Sequence, residues 1–502
     1  MSELIPPTLT QPGVYPTELL PGSHEWSLPA DCVVAFLGPS AKGRPFWPKE
    51  MRSVDAFDQE FGADSSNGSA LAAAARAFFG NGGEQLLVVR TVDPLTAVPA
   101  RVAVASSFTL VASSVGEWAN GLRVEMAVDI ADPNAIQLAV FDADAAGVSR
   151  EIESWQGLNL TPDTPRYVGT FLARESSYLR VADPMDGGVF GGLPSELGLT
   201  AGTIRTLNLS GGTDGSADAA SRESALTTAA DTLARFHHIS LLAVPGVTDV
   251  SDLAGVLAEV NRRDDLVLLL DSPQSSVRLT AISDVQAYRS AFGHQPNLAL
   301  YTPWVRVDGP AGPHAVPPSG FMAGVIARSD IQRGVFHTPA GLGAFLQGAS
   351  GLSVAFDDSE QAPLNALGVN VIRSFPDAGV VAWAARTLSV ATDGSEHLPV
   401  HRMAQYVRKA VVLGTAWAAV ETHGPELWTR ITSEVETFLR WLFEQGAFAG
   451  VVHTDSYRVQ CDAGNNPPDQ VELGILIITV EFAMFRIGAF HTVVIEHAMD
   501  DG

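Results

Sequence analysis

Asp271 stands directly after the apolar run 266–270 and directly before Ser272-Pro273. Parallel sheets place catalytic carboxylates at such a strand end, but an aspartate before Ser-Pro also caps turns and helices. The structural reading is the stronger of the two. An enzyme would add the Tyr301-Thr-Pro-Trp304 loop to that carboxylate. Gly38-Pro-Ser-Ala-Lys42-Gly43 suggests a phosphate loop and fails it. Lys42 precedes its glycine, no Ser or Thr follows the lysine, and Pro39 removes a cradling amide. His237 and His238 are adjacent, so in a strand they point to opposite faces and cannot chelate one metal. Asp264 and Asp265 form a loop pair, and no Gly-x-Ser-x-Gly elbow is present. Cys32 and Cys461 lack any metal or disulfide spacing and read as small buried apolar groups. The residues thus nominate no catalytic, cofactor or metal site. One basic feature stands out, Arg402, Arg408 and Lys409 on one helix face with Arg386 a short loop before it, which suits an acidic partner or neighbouring subunit.

The elements that hold these residues fall into four stretches. Residues 1–22 carry five prolines between apolar residues, so they form an extended arm with Val14, Tyr15, Leu19 and Leu20 as anchors. From residue 31 a strand–helix–strand pattern runs through 32–37, 69–79 and 86–90. Residues 96–212 alternate over 101–111 and 122–130 and show no long helical period, which marks a β-rich insert. Residues 213–345 alternate helices (217–235, 251–262, 278–290) with apolar runs (239–244, 266–270, 298–301), the signature of a mostly parallel sheet under helices. A helix over 319–328 follows Pro317-Pro318. In the last third, one helix sets Val400, Met403, Val407, Ala410 and Val411 against Arg402, Gln405, Arg408 and Lys409. A second carries the stripe Leu427, Ile431, Val435, Phe438, Leu439 and Leu442. Two strands within 471–485 and 490–496 close the chain, the last being free to pair with a neighbouring molecule.

Composition narrows the partners. The 502 residues include 31 Lys plus Arg and 56 Asp plus Glu, a net charge of −25. Such an acidic chain is a poor binder of phosphate backbones or anionic membranes, and its copies repel unless positive charge is supplied locally. Only 17% of residues are charged, against about 25% in an ordinary soluble domain, which leaves much surface for protein contacts. Residues 1–11 hold no secretory signal, the longest apolar runs are too short to span a bilayer, and the cysteines suit a reducing cytoplasm.

Several segments together resemble the sheath proteins of contractile tails, found in contractile phages, tailocins and phage-tail-like injection systems. Pro12-Gly-Val-Tyr15 with Glu18 resembles the arm of that family, and Gly116-Glu-Trp118-Ala-Asn120 its Gly-x-Trp-x-Asn turn. Gly211-Gly-Thr-Asp-Gly215 is similar to its glycine-rich junction. Tyr301-Thr-Pro-Trp304, Pro317-Pro-Ser-Gly320 with Ala323-Gly324, Asp330 with Arg333-Gly334, Leu364-Asn365 with Asn370, and Arg386-Thr387 follow in the family's order. Cys461-Asp462 and Asn465-Asn466-Pro467-Pro468 complete the series. Two stretches depart from it, Trp383-Ala-Ala-Arg386 in place of Trp-Gly-Ala-Arg, and 485–490 in place of a proline-containing stretch.

The resemblance implies an α+β multidomain fold. Residues 1–22 would be a linker arm, and 23–95 plus 346–502 a discontinuous inner core domain. The β-rich insert 96–212 and the α/β insert 213–345 would lie farther out. The arm, through Val14, Tyr15 and Leu19, and the last strand, through Thr492, Val493, Val494 and Ile495, would exchange with neighbouring subunits. The Arg402, Arg408 and Lys409 face would meet an inner tube. The subunit would polymerise helically with itself around that tube, with baseplate and cap proteins at the ends. Contraction would drive the tube through an envelope, with no cofactor, nucleic acid or membrane insertion. Assembly would take place in a bacterial cytoplasm, as a phage tail or injection particle. The rival readings are a soluble α/β enzyme at Asp271 and residues 301–304, and a monomeric adhesin using the β insert.

Overall fold

The computed structural model describes residues 32–62, 69–105, 108–143, 149–182, 192–263, 265–274, 278–309, 312–391 and 394–499. Val14, Tyr15 and Leu19 of the expected arm lie outside them, as does Asp264.

Six short apolar segments, most of them buried along nearly their whole length, become the parallel centre of one sheet. With its edges, the eight-stranded order is Gly379–Ala382, Val369–Phe375, Leu298–Thr302, Val267–Asp271, Ile239–Ala243, Val33–Gly38, Leu86–Arg90, Lys49–Met51. The outermost pair on each side is antiparallel. A central strand covered on both faces needs apolar residues at every position. Val34 and Phe36 face the layer built with helices Ala70–Gly80 and Pro318–Arg333. Val33, Ala35 and Leu37 face the layer built with Ala219–Thr232, Ala254–Arg263 and Arg278–Ser290.

The sheet runs across the expected division of the chain, in which the packing partner of the first strand–helix–strand unit is left open. That division groups residues 23–95 with 346–502, apart from 213–345. In the sheet Val33–Gly38 pairs with Ile239–Ala243, and Val369–Phe375 pairs with Leu298–Thr302. Three stretches of sequence therefore share one set of backbone hydrogen bonds. Apolar runs reveal strands, but the order of parallel strands is set by tertiary crossovers that leave no local mark.

The family motifs have structural duties in this fold. A Cβ on Gly320 would lie 2.5 Å from the Ala74 Cα, and one on Gly324 2.5 Å from the Phe78 carbonyl oxygen. Glycine at these two positions lets helices Pro318–Arg333 and Ala70–Gly80 touch backbone to backbone. Asn120 donates to the Gly212 carbonyl at 2.9 Å and accepts from the Gly212 amide at 2.7 Å. It thereby staples the two ends of the β-rich stretch. That stretch holds the sheets Ile204–Asn208, Arg123–Val128, Ala135–Ala143, Ser149–Asn159 and Arg101–Ala105, Phe108–Ala112, Leu179–Val181 around its own core. Arg90, fully buried at the end of Leu86–Arg90, ties it to the large sheet. Its guanidinium meets Asp214 at 2.7 Å and donates to the carbonyls of Ser40, Gly43 and Val115.

Residues 398–499 gather around a further core. Helices Leu398–Gly414 and Pro425–Glu444 pack on an antiparallel sheet ordered Tyr457–Gln460, Ile475–Phe482, His491–Ala498. The alternation of buried and half-buried residues along Ile475–Phe482 is that of a strand with one covered face. Residues 471–485, apolar enough to read as one strand, split into a short helix, Pro468–Glu472, and this strand.

Candidate assembly surface

The terminal strand His491–Ala498 is held within its own chain. It pairs antiparallel with Ile475–Phe482 in eight residue pairs, among them Ile478 with Ile495, Thr479 with Val494, Val480 with Val493 and Glu481 with Thr492. Val493 and Ile495 are buried against the core behind helix Leu398–Gly414, whereas Thr492 and Val494 are exposed. Within the chain Val493 and Ile495 fill two core positions, which a neighbour's strand would have to refill if Thr492–Ile495 were exchanged. The strand's other side is different. Among the described residues it pairs with nothing, so one row of backbone donors and acceptors is open to an incoming strand.

The 398–499 unit also carries several exposed apolar side chains. Val420, Val451 and Leu473 are 77%, 90% and 69% exposed, and Phe485 and Ile487 project from the loop before the terminal strand. Phe485 rests edge-on against His397. Exposed apolar groups of this size, two of them on the loop that leads into an open strand edge, mark a protein contact surface.

Helix Leu398–Gly414 explains the basic residues, and not as an exposed positive face. Its polar side seats on the amino ends of the parallel strands. Gln405 Nε2 donates to the Leu266 carbonyl at 3.3 Å and to Asn297 Oδ1 at 3.1 Å, while His401 Nε2 lies 2.6 Å from Asn297 Oδ1. Lys409 Nζ donates to the Ile239 carbonyl at 2.6 Å and stands 3.6 Å from Asp265. Arg402 is buried and grips Asp330 with both terminal nitrogens, one at 2.9 Å, with Cys32 Sγ beside it at 3.7 Å. The 402 and 409 charges are thus spent inside the chain. Arg402 and Lys409 line a cleft of about 620 Å³ together with their partners Asp330 and Asp265, and Arg408 flanks another, of about 410 Å³, which it shares with residues 490–493.

Burial and pairing shift these groups in opposite directions. Burial opposes the Arg402 charge, but the Asp330 carboxylate outweighs it and holds the guanidinium pKa above its ordinary value. Burial, with Asp330 nearby, pushes the Cys32 thiol up to about 12, so it is an inert packed group. Burial brings Lys409 down to about 8 in spite of Asp265.

Asp271 is another buried ionisable group, and its role is architectural. Burial raises its pKa to about 6, opposed by donors from Gly246 and Ser319. Oδ1 accepts from the Ser319 amide at 2.7 Å, and Oδ2 from the Ser319 hydroxyl at 2.8 Å and the Gly246 amide at 2.9 Å. Helix Pro318–Arg333 starts at Pro317, which has no side-chain cap of its own. Asp271 supplies that cap from the neighbouring strand. Tyr301 is fully buried, and the Trp304 indole donates to the Ser272 carbonyl at 2.7 Å, so these residues pack this corner of the sheet. His237 and His238 occupy the turn before Ile239–Ala243, not a strand. Among the described residues no group of three or more His, Cys, Asp or Glu is placed to hold a metal, and no helix is long and apolar enough to cross a membrane.

Arg90 and Asp330 were not singled out for these partnerships from the sequence. A faint signal existed for Arg90, a lone cation ending an otherwise apolar buried strand. Nothing local foretells that Asp330 meets a residue 72 positions away.

Comparison with known proteins agrees with this geometry. Residues 220–388 match the family model described as phage tail sheath protein central domain. A curated relative, the tail sheath protein of Vibrio phage KVP40, is 23% identical over 242 residues, 44% of this chain. The match spans 35% of that relative's length. The fold of the sheath tail protein of Desulfitobacterium hafniense superposes with a TM-score of 0.66 at 13% identity, covering 97% of this chain and all of the other. The helical sheath of the anti-feeding prophage in its contracted state gives 0.57 at 21%, over 95% and 96% of the two chains. A contracted sheath of an extracellular contractile injection system gives 0.56 at 19%, over 96% of each. The middle third of the chain thus matches a sheath central-domain model by sequence, and nearly its whole length shares the fold of sheath proteins.

Proposed function

We propose that this chain is the structural subunit of a contractile sheath. It polymerises helically with copies of itself around an inner tube, bounded by baseplate and cap proteins, in a phage tail or tail-like injection particle. The observation that carries the reading is the terminal strand His491–Ala498, core-bound on one side and open along its outer edge, in a chain with the fold of sheath assemblies. A strand added there from the next copy is a head-to-tail contact that does not close on itself and so builds a helix. The proline-rich arm 1–22, with Val14, Tyr15 and Leu19, is the segment whose extended, apolar chemistry suits that edge. The terminal strand accepts and the arm donates. Tube contact falls to the 398–499 unit, with Arg408 as its cationic contribution.

Work would come from two packings of the same subunits that differ by about a few kcal/mol each, summed along the polymer while the strand contacts hold as hinges. Deleting residues 1–22 tests this. Folded monomers or short oligomers, where the full chain gives long tubes in sedimentation and negative stain, support it. Tubes of unchanged length exclude the arm.

A further inference from the structure

A polymer of chains that each carry −25 needs positive charge placed where copies meet. The helix Leu398–Gly414 does not offer it, because Arg402 and Lys409 are consumed inside the chain. Exposed cations gather elsewhere, in a groove of about 860 Å³ between residues 42–60 and the turns 113–118 and 174–180 of the β-rich stretch. Five Lys or Arg side chains line it against two carboxylates, Glu50 and Glu60. Lys49 is matched by Glu60 at 3.7 Å. Among the described residues, Lys42 and Arg44 are in no ion pair. Each is instead set on an aromatic ring, the Arg44 guanidinium 4.3 Å from the Trp47 centroid and the Lys42 ammonium 5.1 Å from that of Tyr178. Trp47 is 52% exposed. The groove runs beside Lys49–Met51, the edge strand of the large sheet, which pairs only with Leu86–Arg90 among the described residues.

We propose that this groove receives an acidic surface of a second copy of this chain, as a lattice contact separate from the terminal strand. The proposal rests on the sheath reading. Arginine laid on an exposed indole is a rigid, partly desolvated anchor of the kind that dominates protein interfaces. Lys42 feels Asp142 and Glu60 only at a distance and Arg44 sits on its ring outside any ion pair, so both can take carboxylates from outside. The chain's own excess of acidic residues makes another copy the complementary partner. Against any other acidic protein, a copy is also present at the highest local concentration in a growing polymer.

The test uses the full-length chain. Copies labelled with nitrogen-15 and unlabelled copies are mixed, allowed to assemble and treated with a carbodiimide, which joins amines to carboxylates in contact. The expected product is an inter-copy amide between Lys42 or Lys49 and an Asp or Glu of the other copy. The variants Lys42→Glu/Arg44→Glu and Lys42→Gln/Arg44→Gln should melt within a few degrees of wild type. Both should raise the concentration threshold for assembly, the Glu pair at least tenfold and the Gln pair less. If wild type assembles but its cross-links at Lys42 and Lys49 are confined to single chains, or both variants assemble at the wild-type threshold, the groove is not a lattice contact and the sheath reading stands. If wild type forms no polymer at any concentration, the sheath reading and this proposal fall together.

Discussion

Arg402 and Asp330 show what the buried charges do. Removing one member of an enclosed pair strands the other, so Arg402→Ala should destabilise the chain by about 3–5 kcal/mol. Asp330→Ala combined with Arg402→Ala should cost clearly less than the two single losses added together, read as non-additive melting shifts in a double-mutant cycle. Asp271 makes a prediction about pH. Its folded pKa, about 6, lies above the ordinary value of 3.8. The folded state therefore binds the proton more tightly, and the stabilisation from this group is full below pH 3.8 and lost as pH rises through 6. Asp271→Asn removes that titration. Between pH 4 and 6, wild type should lose up to about 3 kcal/mol relative to the variant, at about 1.4 kcal/mol per pKa unit, in parallel denaturation series. Identical slopes would show that the Asp271 carboxyl does not titrate in the fold as described.

The elements divide between what patterns disclose and what only packing decides. The two C-terminal helices were legible because their apolar stripes repeat with the helical period, and Leu427 through Leu442 all reach the core. The same periodicity misled for Arg402 and Lys409. A polar helix face looks solvated in sequence, yet here it meets a sheet end whose carbonyls need donors, so Arg402, Gln405 and Lys409 of Leu398–Gly414 are covered along with its apolar stripe. The Asp271 cap was foreseen as a structural alternative, because Ser272-Pro273 signals a turn, although the helix it caps begins 47 residues later at Pro318. The last strand was placed in sequence to within two residues, but its partner was not, since nothing in 490–496 separates pairing at home from pairing abroad. Its two faces give a contrast that can be measured. Val493→Asp buries a carboxylate and should cost about 3 kcal/mol or more. Val494→Asp changes an exposed side chain and should alter monomer melting by about 0.5 kcal/mol or less while weakening assembly. Equal effects of the two on monomer stability would contradict the register Thr479–Val494.

At the scale of the molecule, the acidic balance and low charged fraction argue against nucleic-acid binding and for surface covered by protein. Family motifs dispersed from residue 116 to residue 468 turned out to be joints: Asn120 closes the β-rich stretch, Gly320 and Gly324 let two helices touch, and Asn466 pairs with the backbone of Ile477 at 2.7 and 2.9 Å. Their spacing carries no chemistry because they act on backbone far away in sequence. The discontinuous large sheet was hidden for the same reason, as parallel pairing between residues 33 and 239 has no sequence period to betray it. The account's central claim concerns the outer edge of His491–Ala498, and cryo-electron microscopy of the purified full-length chain tests it most directly. The account predicts hollow helical tubes in which a strand from an adjacent copy is hydrogen-bonded along that edge. Discrete particles at every concentration, or tubes in which that edge is bare, would contradict it.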